Sequence, residues 1–333
     1  FYYIEKGMGS KWKWLAKLFA IFGVLAGLLG IGTFTQINGI TGAVKNFFDP
    51  NSVNTVYLFG NEYSWAVVVS GLIITICAAL VIIGGVKRIS KVAEFIVPFM
   101  AICYVGSALM ILITHASEIP VVLVEVVECA FGLRAVAGGA LGSIMVAMQK
   151  GIARGIFSNE AGLGSAPIAA ATVKTDEPVE QGLVSMTGTV IDTLIICTMT
   201  GLSILVTDTW NIGLEGVDVT IAAFQAGLPF PATVSSFVLM MCLVFFAFTT
   251  ILGWDYYSER CMEYIVGDKP KVIKAFRWTY ILAIFIGPYM TVSAVWTIAD
   301  IFNGLMAFPN LIALVALSGV VVAETKKYFN RQK

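Results

Sequence analysis

The chain has 333 residues, 58% of them apolar and only 13% charged, with a mean hydropathy of +0.86. A soluble domain carries about 25% charged residues, so this balance makes the chain an integral membrane protein. Lysine plus arginine equals aspartate plus glutamate at 21 each, and net charge therefore points to no nucleic-acid or acidic partner.

Crossing the hydrocarbon core takes about 20 apolar residues. Eight stretches meet that length: Trp14–Gly39, Tyr63–Gly85, Ile89–Thr114, Phe131–Gln149, Gly182–Val206, Thr233–Trp254, Trp278–Trp296 and Gly304–Ala323. The chain reads as one all-α transmembrane domain over residues 1–333. Basic residues collect in cytoplasmic loops. With a cytoplasmic N-terminus, 19 of the 21 lysines and arginines fall in inner segments, and only Lys45 and Arg134 lie outside. The expectation is a multi-pass protein with both ends cytoplasmic. It opens at Phe1 without a basic, apolar and small-residue leader pattern, and reads as a fragment of a longer protein. Two outer connections stand out: Glu118–Glu128 alternates acid with Val and Leu, and Asp208–Pro231 is punctuated by glycine and proline. Each reads as a lid over an outer opening or as a plain surface cap.

Soluble-enzyme chemistry finds little support. His115 is the only histidine, which excludes histidine triads and multi-histidine metal centres. The six cysteines are scattered without a C-x-x-C pair, so neither a disulfide framework nor a zinc site is expected, and no cofactor is implied.

Function in such a chain is sought where spans are interrupted, because unwound helices offer backbone carbonyls and amides to ions and zwitterions. Gly138-Gly139-Ala140-Leu141-Gly142-Ser143 lies near the centre of the fourth stretch, where it either opens a small pocket or packs closely against a neighbouring helix. Asp192 lies about ten residues into the fifth stretch beside Thr189, Thr193, Thr198 and Thr200. A carboxylate at that depth is costly unless paired. It serves an alkali cation or a proton, or else pairs within the protein. Thr249 and Thr250 put two adjacent hydroxyls in an apolar helix, although such hydroxyls commonly bond back to a carbonyl four residues earlier. Gln36 and Asn38 share no helical face unless the backbone breaks beside them. The strongest interruption in composition is Gly151–Pro167, charged and broken by glycines.

That segment, Gly-Ile-Ala-Arg-Gly-Ile-Phe-Ser-Asn-Glu-Ala-Gly-Leu-Gly-Ser-Ala-Pro, closely resembles a stretch of the sodium:alanine symporter family. Further matching stretches are Tyr2–Gly7, Ile191-Asp192-Thr193 with Cys197-Thr198, Phe246–Trp254, Ala299-Asp300 and Pro309-Asn310-Leu311, in order along the whole chain.

The resemblance implies a LeuT-type transporter with two inverted repeats of five helices, in which the eight stretches correspond to helices three to ten. The first two helices, including a Gly-Thr-Gly-Asn segment on the first, are not in this sequence. It further implies symport of small neutral amino acids such as alanine or glycine with Na+ across the plasma membrane by alternating access. Proton coupling is an alternative, as is, from another class, a passive channel. Under this mapping the substrate contacts are Gly138, Gly139, Gly142, Ser143, Gln36 and Asn38. The ion contacts are Thr249, Thr250, Asp192 and Thr193. Phe157, Ser158, Asn159, Glu160 and Trp254 would form an inner gate, with Gly151–Pro167 at the inner end of helix six.

Overall fold

Backbone groups in hydrocarbon must be paired within their own segment, and the apolar runs accordingly fold as helices in the computed structural model, which describes residues 1–58, 60–131 and 140–331. Among these residues, six helical segments are long and apolar enough to cross a membrane: Ser10–Phe48, Trp65–Ile82, Val86–Thr114, Pro178–Val206, Ala232–Val266 and Val292–Arg331.

The first of these is interrupted. Helix α1 (Tyr2–Gly7) leads through a single 3-10 turn into α2 (Lys13–Leu29), and the chain resumes after Gly30–Thr33 as α3 (Phe34–Phe48). The carbonyls released at the break find partners, as they must in a bilayer. Thr33 donates to Leu28 O at 2.7 Å, Gln36 to Ile31 O at 3.0 Å, and the Tyr280 hydroxyl lies 3.0 Å from Gly32 O. An antiparallel hairpin, β1 (Thr55–Leu58) and β2 (Asn61–Ser64), pairs Thr55 with Ser64. Ser64 then caps α4 (Trp65–Ile82) by accepting the Ala66 N–H at 3.3 Å.

Helix α5 (Val86–Thr114) carries Pro98 inside it, and the Glu118–Glu128 connection folds as a short helix, α6 (Ile119–Ala130). Helix α7 (Ala140–Asn159) ends at a break and is followed by α8 (Ala166–Ala170). Helix α9 (Pro178–Thr189) passes through a π-helical segment, Val190–Cys197, into α10 (Thr198–Val206). The Asp208–Pro231 connection folds as α11 (Val217–Gly227), with Ile221 and Phe224 buried and Asp218 accepting from Asn46 of α3. Helices α12 (Ala232–Val266), α13 (Pro270–Ile286) and α14 (Val292–Arg331) complete the chain.

Helix α12 is the axis of the bundle. Lipid tails are as apolar as leucine, so close packing rather than hydrophobicity holds such helices together. Gly23 and Gly27, one turn apart on α2, lie against α12 so closely that a methyl at Gly27 would fall 1.7 Å from Ser258 Oγ, and one at Gly23 would fall 2.7 Å from Cys261 Sγ. Trp254, Tyr280 and Phe19 are fully buried around this contact. The outward faces are apolar instead: Phe95 and Ile102 of α5 and Val315 of α14 are 81%, 74% and 76% exposed, as lipid-facing side chains are.

Several stretches differ from their expected bounds: Trp14–Gly39 is broken at Gly30–Thr33 and runs on to Phe48, Thr233–Trp254 runs on to Val266, and Gly304–Ala323 lies within a helix that starts at Val292 and ends at Arg331. Phe131–Gln149 is described only in part, and its helix runs on to Asn159. This places Lys150 and Arg154 on α7 and not in an inner loop. Trp278–Trp296 is divided by a 3-10 turn at Gly287–Tyr289, where Pro288 cannot continue the helix. Its helix starts earlier, at Pro270.

Candidate substrate and ion site

The break between α7 and α8 is the polar centre of the fold. Glu160 takes a left-handed conformation (φ 56°), as do Gly162 and Gly164 (both φ 85°), which ends α7 and turns the chain back. Only glycine suits Gly164 on two counts. Its φ is one that L side chains avoid, and a methyl there would lie 2.7 Å from Phe19 and 2.9 Å from Asn310 Cγ.

The peptide groups and side chains of the break are held from several helices. Asn310 of α14 donates to Gly162 O at 2.8 Å and accepts from the Tyr3 hydroxyl. Asn159 accepts the Ala161 N–H at 2.8 Å. The Glu160 carboxylate accepts from the Trp254 indole N–H at 2.7 Å and from the Ser165 hydroxyl.

Beside the break stands the π-helical segment. A π-turn inserts a residue into the helical ladder, and such turns concentrate at functional sites. Here it presents Asp192 and Thr193 to the end of α7. Ser158 donates to Asp192 at 2.7 Å and lies 3.1 Å from the Cys197 sulfur, and Asn159 donates to Thr193 Oγ1 at 2.9 Å. One turn back on α7, Arg154 donates through one terminal guanidinium nitrogen to both carboxylate oxygens of Asp300 on α14. Its guanidinium lies 4.5 Å from the Trp296 ring centroid and 5.5 Å from that of Phe157, and the two rings are 4.8 Å apart. Both charged partners are partly exposed, so the pair fixes geometry more than it adds stability.

The residues proposed from sequence are therefore divided. Ser158 and Asn159 meet Asp192 and Thr193, Glu160 meets Trp254, and Phe157 packs on Trp296, all from neighbouring positions at the end of α7. Thr249 and Thr250 spend their protons on α12 carbonyls, at 2.9 Å and 3.0 Å from Phe246 O, and Thr250 stands one turn from Trp254. Gln36 bonds the Ile31 carbonyl at the first break, while Asn38 donates to Met290 O at 3.0 Å. Asn38 also lines a separate cavity of about 330 Å³ with Thr35 and Trp296, closed on one side by Glu215–Asp218 at the start of α11. Gly138 and Gly139 lie outside the described residues. The described part of that stretch, Ala140–Ser143, is continuous helix, and Gly142 is exposed on it. A single glycine among good helix formers costs only about 1 kcal/mol, too little to unwind α7 at that point.

Asn310, Tyr3, Ser165, Trp296 and the Arg154–Asp300 pair were not among the proposed site residues. Asn310 could have been found, as an amide beside a proline in an otherwise apolar run.

A helical bundle with lipid-facing apolar flanks and a polar discontinuous helix at its centre defines a multi-pass membrane transporter. A profile of the sodium:alanine symporter family matches residues 1–333. An uncharacterized transporter from Haemophilus influenzae is 48% identical to the chain over 334 residues, covering 100% of it and 69% of the relative. The sodium/alanine symporter AgcS of Methanococcus maripaludis is 41% identical, with 98% of this chain and 68% of the relative aligned. A probable sodium/glutamine symporter, GlnT of Bacillus subtilis, is 37% identical over 100% of the chain and 64% of its own length. The chain belongs to the sodium:alanine symporter family, a family of transporters and not of enzymes.

Proposed function

We propose that the chain forms most of the transport core of a plasma-membrane symporter that couples uptake of small neutral amino acids to Na+ by alternating access. The observation that carries this reading is the discontinuous α7–α8 helix, where Trp254 holds the Glu160 carboxylate and Asn310 the Gly162 carbonyl, a few residues from the Ser158 hydroxyl that donates to Asp192. Half-helix ends of this kind suit both ends of a zwitterion, and a carboxylate with adjacent hydroxyls is a hard oxygen set for an alkali cation.

Eight passes follow if α2–α3, α7–α8, α9–α10 and each of α4, α5, α12, α13 and α14 cross the bilayer, which matches helices three to ten of a five-plus-five inverted repeat. In this arrangement the recognition element of helix six is Glu160–Ser165. Asp192, Thr193 and Ser158 take the cation, with Thr249 and Thr250 as further hydroxyl donors to it. Asn38 and Trp296 line the route in. Each charge moved with substrate draws about 2.3 kcal/mol per 100 mV from the membrane potential, enough to concentrate substrate many-fold.

The relatives named for alanine and for glutamine leave side-chain size as the variable to test. Counterflow of labelled alanine in proteoliposomes of the full-length protein, with and without Na+ and with glycine, glutamine or leucine as competitor, decides the matter. Saturable, Na+-dependent exchange blocked by glycine supports the reading. Exchange indifferent to Na+ but driven by a pH gradient replaces the coupling ion, and unsaturable flux indicates a pore.

A further inference from the structure

A groove of about 840 Å³ lies away from the break, between the Val266 end of α12, the α12–α13 connection and α13. We propose that it seats an anionic glycerophospholipid, with the phosphate against Lys269 and Lys274 and an acyl chain along Trp278, Ile83 and Ile281.

The argument begins with one face of α13. Lys274, Trp278 and Ile281 are spaced four and three residues apart and so lie in one stripe about 10 Å long. All three line the groove. The stripe passes from ammonium to indole to aliphatic side chain, the order in which a bilayer passes from phosphate through interface to tails. Trp278 and Ile83 are each 55% exposed, whereas Ile281 is buried, so the uncovered apolar surface of the groove is that of Trp278 and Ile83.

Charge supports an anionic headgroup. Arg277 is engaged by Glu259, and Glu263 by Arg260 at 2.6 Å. Among the described residues, Lys269 and Lys274 take part in no ion pair, leaving them in excess over Asp268 among the unengaged groups of the groove. A soluble phosphate would satisfy the lysines and leave the apolar stripe bare. A zwitterionic lipid would cover the stripe but bring a second positive charge to the lysines. An anionic lipid satisfies both halves.

The test uses the full-length protein in nanodiscs that contain a small fraction of phosphatidylglycerol or phosphatidylcholine brominated on the acyl chain. The signal of Trp278 is the difference between the parent and a W278F variant. Expected is stronger quenching of that component by brominated phosphatidylglycerol than by brominated phosphatidylcholine. In K269Q/K274Q, which alters only exposed side chains, the preference should fall about fivefold for each lysine lost. Excess inorganic phosphate should leave it unchanged. Equal quenching by the two lipids in the parent, or an undiminished preference in K269Q/K274Q, overturns the proposal. Loss of the preference on adding inorganic phosphate also overturns it, and would assign the lysines to a soluble anion.

Discussion

The indole N–H of Trp254 on α12 donates to the carboxylate of Glu160 at 2.7 Å, tying the axis of the bundle to the residue that ends α7. Trp254 is fully buried, so it has no water to replace this acceptor. Loss of a hydrogen bond to a charged group costs about 1.5–3 kcal/mol. W254F should therefore lower counterflow at least tenfold while the protein remains folded by size-exclusion profile. E160Q, which keeps one amide oxygen as acceptor for either Trp254 or Ser165, should be milder than E160A.

Asp192 carries the charge in the polar cluster beside the break. If it binds the coupling cation, D192N should remove or strongly weaken the dependence of uptake on Na+ and leave some Na+-independent exchange. S158A removes one donor to the same carboxylate, but this pair is exposed and water can replace the hydroxyl, so the half-saturating Na+ concentration should shift by less than tenfold. Uptake by D192N with an unchanged Na+ dependence would detach Asp192 from coupling.

At Gly164, an added methyl meets both a positive φ and two neighbours under 3 Å away. G164A should lower the melting temperature in detergent more than N310A, which loses the bond to Gly162 O but creates no clash. The expected cost is about 1–3 kcal/mol for the backbone strain alone.

The α2–α12 contact offers a paired test. G27A places a carbon 1.7 Å from Ser258 Oγ and should destabilise the bundle. S258G in the same chain should restore most of the melting temperature, giving a coupling energy of about 0.5–3 kcal/mol in a double-mutant cycle. Independent effects would show that the two helices part more easily than their packing implies.

Glu5, before the first span, accepts from the Tyr264 hydroxyl and pairs with Lys13 at 3.1 Å. These contacts, the Tyr264 hydrogen bond first, hold its carboxyl below the ordinary value of 4.5. A depressed folded value contributes stability above the unfolded pKa that is lost as pH falls through the folded one. E5Q should therefore melt below the parent at neutral pH and converge with it in acid below the ordinary carboxyl range.

Long apolar runs made much of the fold legible, because α4, α5 and α12 need only length and composition to be recognised. The contacts that reset the other boundaries join residues far apart in sequence. Arg154 reads as a loop residue until Asp300, 146 positions away, and the ring of Trp296 are found beside it. The Gly287-Pro288 stop, by contrast, was present locally and was outweighed by the apolar residues on either side. At the site, the Ser158–Glu160 segment could be singled out from its polarity, but the residues that hold the following turn, Asn310 on the Gly162 carbonyl and Tyr3 on Asn310, belong to opposite ends of the chain. The hydroxyls of Thr249 and Thr250 suggested an ion contact, and the structure shows their protons already bonded within their own helix.

The π-helical segment Val190–Cys197 gives the Asp192 contact an unusual dependence on winding. An α-helix advances about 100° per residue, so reducing one wide turn to an ordinary one would rotate everything on its N-terminal side by that angle relative to α10. Asp192 and Thr193 would then swing away from Ser158 and Asn159 without any helix tilting or any loop opening. Their alignment with the broken helix is thus a property of helical register, and a single residue of slip would be enough to make or undo it.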